Sequence, residues 1–503
     1  MNEKPPMTMV FKVSVPLAAL FLLYGALAPE NLALVSGVIQ HLLLDTFGWF
    51  YLVSVFGFLL CAIFLIFSEY GHIPLGREGD TPEYPLVTWF AMLFCAGMGI
   101  GLVFWGVAEP SLHFHDPPTG PGGTTEAART ALRYSFFHWG LHPWAVYTMV
   151  GLALAYVQFR KRAPGLISES CRPVLGNRID GPVGSAIDIL AVFATVFGVA
   201  TSLGFGAMQI SGGLSYLAGT PNSILTQSIL ILIVTVLFML SAQTGLQRGI
   251  KYLSNLNMVL ALVLLSFLFI LGPTKMLMQA FTSTLGSYLQ NLPQMSLSLG
   301  GFEGGKWIED WTLFYWAWWI AWAPFVGTFI ARISKGRTVR EFVLGVLLVP
   351  TLFCAFWFTV FGGTAISLDI NDQVAIKALI DAKGKEVALF AVLDHFPMGA
   401  LMSTLAIFLI ATFFITSADS ATFVLGTFTT HGNLNPPNPV KFTWGVIQSL
   451  AAAVLLWSGG LKGLQTASII AAFPFAVVMI VMTMSLFKSL RTELGSEDLT
   501  PGK

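Results

Sequence analysis

Charge is what this sequence has least of. Of 503 residues only 10% are Asp, Glu, Lys or Arg, against roughly 25% in an ordinary soluble domain, while 55% are hydrophobic. So little charge cannot clothe a soluble surface, and the chain is expected to be an integral membrane protein. The charges that remain cancel, 26 basic against 26 acidic, so neither nucleic acid nor an acidic surface is indicated as a partner. Cysteine is scarce too. Cys61, Cys95, Cys171 and Cys354 are scattered, three of them inside apolar runs, at spacings that suit neither a metal site nor a disulfide framework. Walker loop, zinc motif and triad signature are all missing, which argues against an ATP-driven pump and an intramembrane hydrolase; neither an enzyme nor an organic cofactor is expected.

What is abundant is the long apolar run. At ~20 residues per crossing the chain holds about twelve spans and reads as an all-α integral membrane protein forming a single domain. Residues 1–80 hold a tail and two peripheral helices, 86–272 five spans, 275–310 an amphipathic interfacial helix (Lys275 to Leu292) with a loop, 311–488 five more spans, and 489–503 a short tail. The first run, about Val10 to Ala28, lacks a small-residue cleavage site after it and is expected to be retained. Two groups of five suggest a pair of repeats of opposite topology. Basic residues concentrate in alternate loops, at Arg77, Arg160 to Arg162, Arg172, Arg178, Arg248 and Arg332 to Arg340. By the positive-inside rule both termini are then cytoplasmic in a plasma membrane, the inner membrane for a bacterium.

Four stretches carry candidate chemistry. In the eighth span, WTLFYWAWWIAWAPFVGTFIARISKGRTVRE, Trp316, Trp318, Trp319 and Trp322 sit where tryptophan is unusual, with Trp319 and Trp322 on one helical face near mid-span. Such a face suits an organic cation that cannot be hydrogen-bonded, such as a quaternary ammonium, although packing filler explains it equally well. In the third span, CAGMGIGLVFWG places Gly97, Gly99 and Gly101 where a helix can open, expose carbonyls to a cation and bring backbone to a ligand; close helix packing is the other reading. In the fourth, Trp139, Trp144 and Tyr147 surround Pro143, which can swing that aromatic face inward. In the tenth, FFITSADSATF offers Thr416, Ser417, Asp419, Ser420 and Thr422, hard oxygen ligands for a sodium-sized ion unless the hydroxyls bond back to their own helix. Asp419 suits a site or a helix-breaking structural role.

The strings WFAMLFCAGMGIGLVFWGVAEP, HWGLHPWAVY, ATSLGFGAMQI, FYWAWWIAWAPFVGTFIARISKGRTVREF and FFITSADSAT resemble the betaine/carnitine/choline transporter family over essentially the whole chain. The resemblance implies the five-plus-five inverted-repeat fold of the leucine-type amino-acid transporters preceded by two extra helices, a homotrimer in the bilayer, and an onium substrate. It implies a cage of Trp139, Trp144, Tyr147 and Trp319, with Trp318 and Trp322 along the path and Gly99 and Gly101 as backbone contacts. Proton-linked choline carriers of the family have an aspartate where Gly101 stands, and a glycine there leaves room and charge balance for a zwitterion. Sodium-independent carnitine exchangers have an arginine at the position of Asn257. The branch resembled is therefore the sodium-coupled one, with Na+ held by backbone oxygens of Cys95, Met98 and Phe413 and the hydroxyls of Thr416 and Ser417. A second sodium site is implied near Thr195 and Phe325, but Val199 stands where such relatives have another threonine. The expected function is sodium-coupled uptake of glycine betaine by alternating access, with choline, carnitine or dimethylsulfoniopropionate as alternative substrates and a betaine-gated channel or receptor as the reading from another class. Osmosensing relatives continue into a long basic C-terminal helix that this sequence does not show.

Overall fold

The computed structural model describes residues 8–97, 99–243, 247–300 and 305–497. Among these, the chain is helical throughout and has no strand beyond one antiparallel bridge, Pro74 to Thr338. Two helices open it, α1 (Met9–Leu27) and α2 (Pro29–Phe67). The Thr8 hydroxyl accepts from Phe11 N to cap α1, and Pro29 starts α2 at the position where its missing N–H costs nothing. The stretch around Glu30, His41 and Asp45 is thus continuous with the second span rather than a separate segment.

The next two crossings are each broken in the middle: α3 (Leu86–Gly97) with α4 (Ile100–His115), and α5 (Thr125–Trp139) with α6 (Leu141–Ala155). The single-turn helices α7 (Ile167–Ser170) and α8 (Arg172–Leu175) lead to α9 (Pro182–Ala218), α10 (Ile224–Gln243) and α11 (Gln247–Leu271). The interfacial helix expected at 275–292 is α12 (Thr274–Leu297), packed on α5 and α15. One turn, α13 (Lys306–Ile308), and a π-helical turn over Glu309–Leu313 feed α14 (Phe314–Ile333). Then come α15 (Val339–Ile370), opened by a capping box in which the Thr338 hydroxyl accepts from Glu341 N and the Glu341 carboxylate from Thr338 N, α16 (Ile376–Lys383), α17 (Ala388–Asp394), α18 (Gly399–Phe428) and α19 (Asn438–Glu497).

Nine of these helices are long and apolar enough to cross a membrane, among the described residues. The two broken pairs fall short individually because each half has 16 residues or fewer, and α19 holds two crossings joined at Gly460, whose φ of 55° and ψ of −137° only glycine adopts freely. Among the described residues twelve crossings result. Between α15 and α18 the chain folds into α16, a 3-10 turn over Lys385–Val387, and α17.

Burial sorts the helices. The 306–333 segment buries 89% of its most apolar stretch, against 28% for 9–27, 224–241 and 252–271, which face outward. The tryptophan-rich helix is therefore the axis of the molecule, packed on α6, α9 and α19.

The fourth crossing breaks at Gly140 (φ −97°, ψ −128°) and not at Pro143 as its sequence suggests. Pro143 lies in the first turn of α6, where no N–H is needed. The N–H of Leu141, freed by the break, donates to the Tyr288 hydroxyl of α12 at 3.1 Å. Trp139 and Trp144 thus stand on either side of a joint completed by a third helix.

Candidate substrate and ion site

The four tryptophans of α14 divide into two kinds. Trp316 stacks on His142 (5.1 Å between ring centroids) and packs on Phe137 (4.9 Å), which makes it filler between helices. Trp319 meets Trp139 edge-on at 4.9 Å and Tyr147 at 6.2 Å, and Tyr147 meets Trp144 at 5.5 Å. All four expected cage residues are therefore brought together, by α14 and by the two sides of the Gly140 break. Trp318 stacks on Trp319 at 4.6 Å and touches Trp322 edge-on at 6.3 Å, so it joins rings that are not themselves in contact. Indole hydrogen bonds hold the orientation: Trp319 Nε1 donates to His138 O and Trp322 Nε1 to Gly198 O, both at 2.9 Å.

The third crossing opens as its glycines suggest, with Gly99 at the foot of α4. A Cβ added at Gly99 would sit 3.8 Å from Trp322 Cη2 and 3.9 Å from Ser417 Oγ, so the opened turn lies between the aromatic rings and the hydroxyls of α18. Gly101 is tighter: a Cβ there would come within 2.5 Å of Trp318 Cη2 and 3.1 Å of Trp139 Cη2. Spare room is not what this glycine supplies; the indoles already fill it. Gly101→Ala is consequently expected to push both rings off their seats and to weaken substrate uptake at least about tenfold, with Gly101→Asp no gentler. Uptake kinetics of the alanine variant check this, and wild-type values would make Gly101 dispensable.

Among the ion-site residues, Thr416 Oγ1 lies 3.0 Å from Thr412 O and 3.1 Å from Phe413 O, and it accepts from Asn257 Nδ2 at 3.3 Å. Its proton thus bonds back to its own helix, while the residue that replaces the exchangers' arginine reaches the same hydroxyl. Ser417 Oγ makes no hydrogen bond among the described residues. Met98 lies outside the described residues, as does the side chain of Cys95 in the last turn of α3. Asp419 accepts from Ser241 at 3.0 Å and so ties α18 to α10, but α18 runs unbroken through it, so the expected helix-breaking role is not what it plays. Thr195 donates to Ala191 O at 2.8 Å, one turn from the buried Val199, and Phe325 packs edge-on to Trp322 at 5.6 Å.

Sequence reasoning passed over Glu109. This fully buried carboxylate, in the WGVAEP string, accepts from Trp139 Nε1 (2.8 Å) and the Tyr315 hydroxyl (2.5 Å), and its other oxygen lies 2.7 Å from His138 Nδ1 and 3.2 Å from His113 Nε2. His138 Nε2 pairs in turn with the Thr312 hydroxyl at 3.0 Å. A charge-bearing side chain inside an apolar span was the available signal. Glu109, His113 and His138 also present ligand atoms within 4.8 Å of one another, but here they are spent on holding Trp139 and Tyr315.

The profile of betaine/carnitine/choline family transporters matches residues 9–495. The chain belongs to that family. Its relatives include the glycine betaine transporter OpuD of Bacillus subtilis (strain 168), 53% identical over 96% of this chain and 94% of the relative. The ectoine/hydroxyectoine transporter of Virgibacillus pantothenticus is 45% identical over 97% and 98%, and the glycine betaine transporter of Acinetobacter baylyi 42% over 96% and 73%. As a member of the betaine/carnitine/choline transporter family the protein is a multi-pass membrane carrier of small molecules and not an enzyme.

Proposed function

We propose that this carrier takes up glycine betaine, or a close quaternary-ammonium analogue, together with sodium. The observation that carries the reading is the chemistry of the cage wall. Its rings suit a cationic head that offers no hydrogen bond. Its spare polar groups are donors, since the Tyr147 hydroxyl and Trp318 Nε1 are buried without a partner among the described residues, while the acid beside them, Glu109, is saturated. Aromatic faces for the head and donors for a carboxylate describe a zwitterion better than choline. The names of the OpuD and Acinetobacter relatives point the same way, and the ectoine carrier's name shows that a relative equally similar in length serves another zwitterionic solute.

Sodium enters this reading through Gly99 and Ser417, where an opened backbone turn meets an uncommitted hydroxyl. The coupling ion would be held by the carbonyls of Cys95, Met98 and Phe413 with Thr416 and Ser417, and a second ion near Thr195 and Phe325 is disfavoured by Val199. Transport proceeds by alternating access between two five-helix repeats, 86–272 and 311–488, in a homotrimer in the bacterial inner membrane with both termini cytoplasmic.

The decisive experiment is uptake of labelled betaine into proteoliposomes with and without an inward sodium gradient, competed by choline, carnitine, dimethylsulfoniopropionate and ectoine. Accumulation that persists after the gradient is collapsed refutes the coupling, and a channel would not accumulate at all. The double variant Thr416→Ala, Ser417→Ala is expected to raise the sodium concentration for half-maximal uptake about tenfold or more. By linkage betaine then helps sodium less. Unchanged sodium dependence assigns both hydroxyls to helix packing.

A further inference from the structure

In the basic loops, guanidinium groups find strong acceptors. Arg160 reaches Glu493 at 2.6 Å, Arg172 reaches Glu169 at 2.9 Å and Asp180 at 2.7 Å, and Arg337 and Arg340 donate to the carbonyls of Tyr84 and Ile66, both at 2.7 Å. Arg133 stands apart from them, half-buried on α5. Its Nη1 donates to Ser287 Oγ of α12 at 3.2 Å, and its Nη2 to Thr130 Oγ1, one turn back on its own helix, at 3.3 Å. Its Nε is buried with no partner, and among the described residues no carboxylate comes within ion-pair distance. Two neutral hydroxyls orient this cation without balancing it, and a half-buried charge with no counter-ion is costly.

Helical side chains lean toward the start of their helix, and the bond to Thr130 shows Arg133 doing so, toward the end of the crossing away from the basic loops. There α5 meets α12. Phe136, one turn further along α5, packs on Phe281 and Tyr288 of α12, both at 6.3 Å, and closes the seam behind the Arg133–Ser287 contact. The Ser287 carbonyl accepts from Asn291 Nδ2 at 2.8 Å, and beside it Gly286 leaves open space, since a Cβ there would meet no atom within 4 Å. Arg129 stands one turn before Arg133 on the same face of α5. Its only ion pair among the described residues is with Glu126 at 3.5 Å, and both side chains are exposed, so water weakens the pairing.

We infer that the seam between α5 and α12 binds the phosphate of a phospholipid, held by Arg133 with Arg129 assisting, while Ser287 and Thr130 set the guanidinium in place. Arg133 keeps one N–H free on each Nη, the pair that two phosphate oxygens accept as a bidentate bond. A lipid suits the place better than a free anion does. The amphipathic α12 lies at the level of headgroups, and its exposed Met278, Leu289 and Leu297 are apolar surface for acyl chains to cover. The site is independent of the solute that the cage takes.

The probe is a short-chain phosphatidylglycerol below its micelle concentration, titrated into the purified full chain in a sugar-headed detergent and read as a rise in melting temperature. Short-chain diacylglycerol, which lacks the phosphate, and inorganic phosphate, which lacks the chains, are the matched arms. Wild type should bind phosphatidylglycerol about tenfold more tightly than either. Arg133→Gln should lose about tenfold in affinity, Arg133→Lys about threefold because it keeps the charge without the fork, and Arg129→Gln about threefold. Arg133→Lys and Ser287→Ala, the latter expected to lose about twofold, carry the test should Arg133→Gln fail to fold. Wild-type affinity in the folded variants refutes the site. Equal binding of diacylglycerol reduces the seam to an apolar groove, and an equal rise with inorganic phosphate removes the lipid as occupant; either overturns the proposal. So does an Arg133→Gln chain that binds the lipid unchanged but loses subunits by light scattering, since Arg133 then serves a neighbouring copy.

Discussion

Trp319→Leu should weaken betaine binding about thirtyfold while leaving the protein folded. Leucine keeps apolar bulk on the axis helix but removes the ring quadrupole, worth about 2 kcal/mol to a desolvated cation. The expectation rests on the ring's company: it stands against Trp139, Tyr147, Trp318 and Tyr315, and its Nε1 is fixed to His138 O. Trp316→Leu is the matched comparison. That indole is sandwiched by His142 and Phe137, so its loss should lower thermal stability and leave affinity alone. Equilibrium binding of labelled betaine to both variants, with melting curves, separates the two outcomes. A Trp319→Leu protein that binds like wild type takes the cation away from this ring.

A larger effect is expected from Glu109→Leu. The substitution strips the acceptor from Trp139 Nε1 and the Tyr315 hydroxyl, two donors that no water reaches, at about 1–3 kcal/mol each. Trp139 is a wall of the cage, so either the fold fails or betaine binding drops by a hundredfold or more. Glu109→Gln is expected to be far milder, within about tenfold. Its carbonyl can serve Trp139 and Tyr315, while its amide nitrogen faces His138 and His113, which accept in the other tautomer. The measurement is yield of monodisperse protein followed by betaine affinity. Near-wild-type behaviour of the leucine variant would dissolve the positioning role, and failure of the glutamine variant would show that the negative charge itself is required.

Much of the fold could be read before the coordinates because bilayer thickness sets helix length, so hydropathy alone counts crossings. Breaks were legible where glycines cluster, as at Gly97 to Gly101, and misread where a proline drew attention away from a single Gly140. Helical spacing put Trp319 and Trp322 on one face, but it did not tell which tryptophan is filler: Trp316 and Trp319 differ in what α5 and α6 bring opposite them. The Glu109 hub was hidden for a similar reason. Its partners lie 4, 29, 30 and 206 residues away, and no local pattern joins them. The hydroxyl pair was singled out as ion ligands, but the pattern did not tell that Thr416 turns its proton back to Phe413 and Thr412.

The joint at Gly140 has a mechanical corollary. Because the bond that completes it comes from Tyr288, the walls of the cage carried by α5 and α6 share a fastening with α12, a helix that also leans on α15. Lipid packing that strains α12 sideways would thereby act at the point between Trp139 and Trp144, giving the surrounding bilayer a lever on that joint.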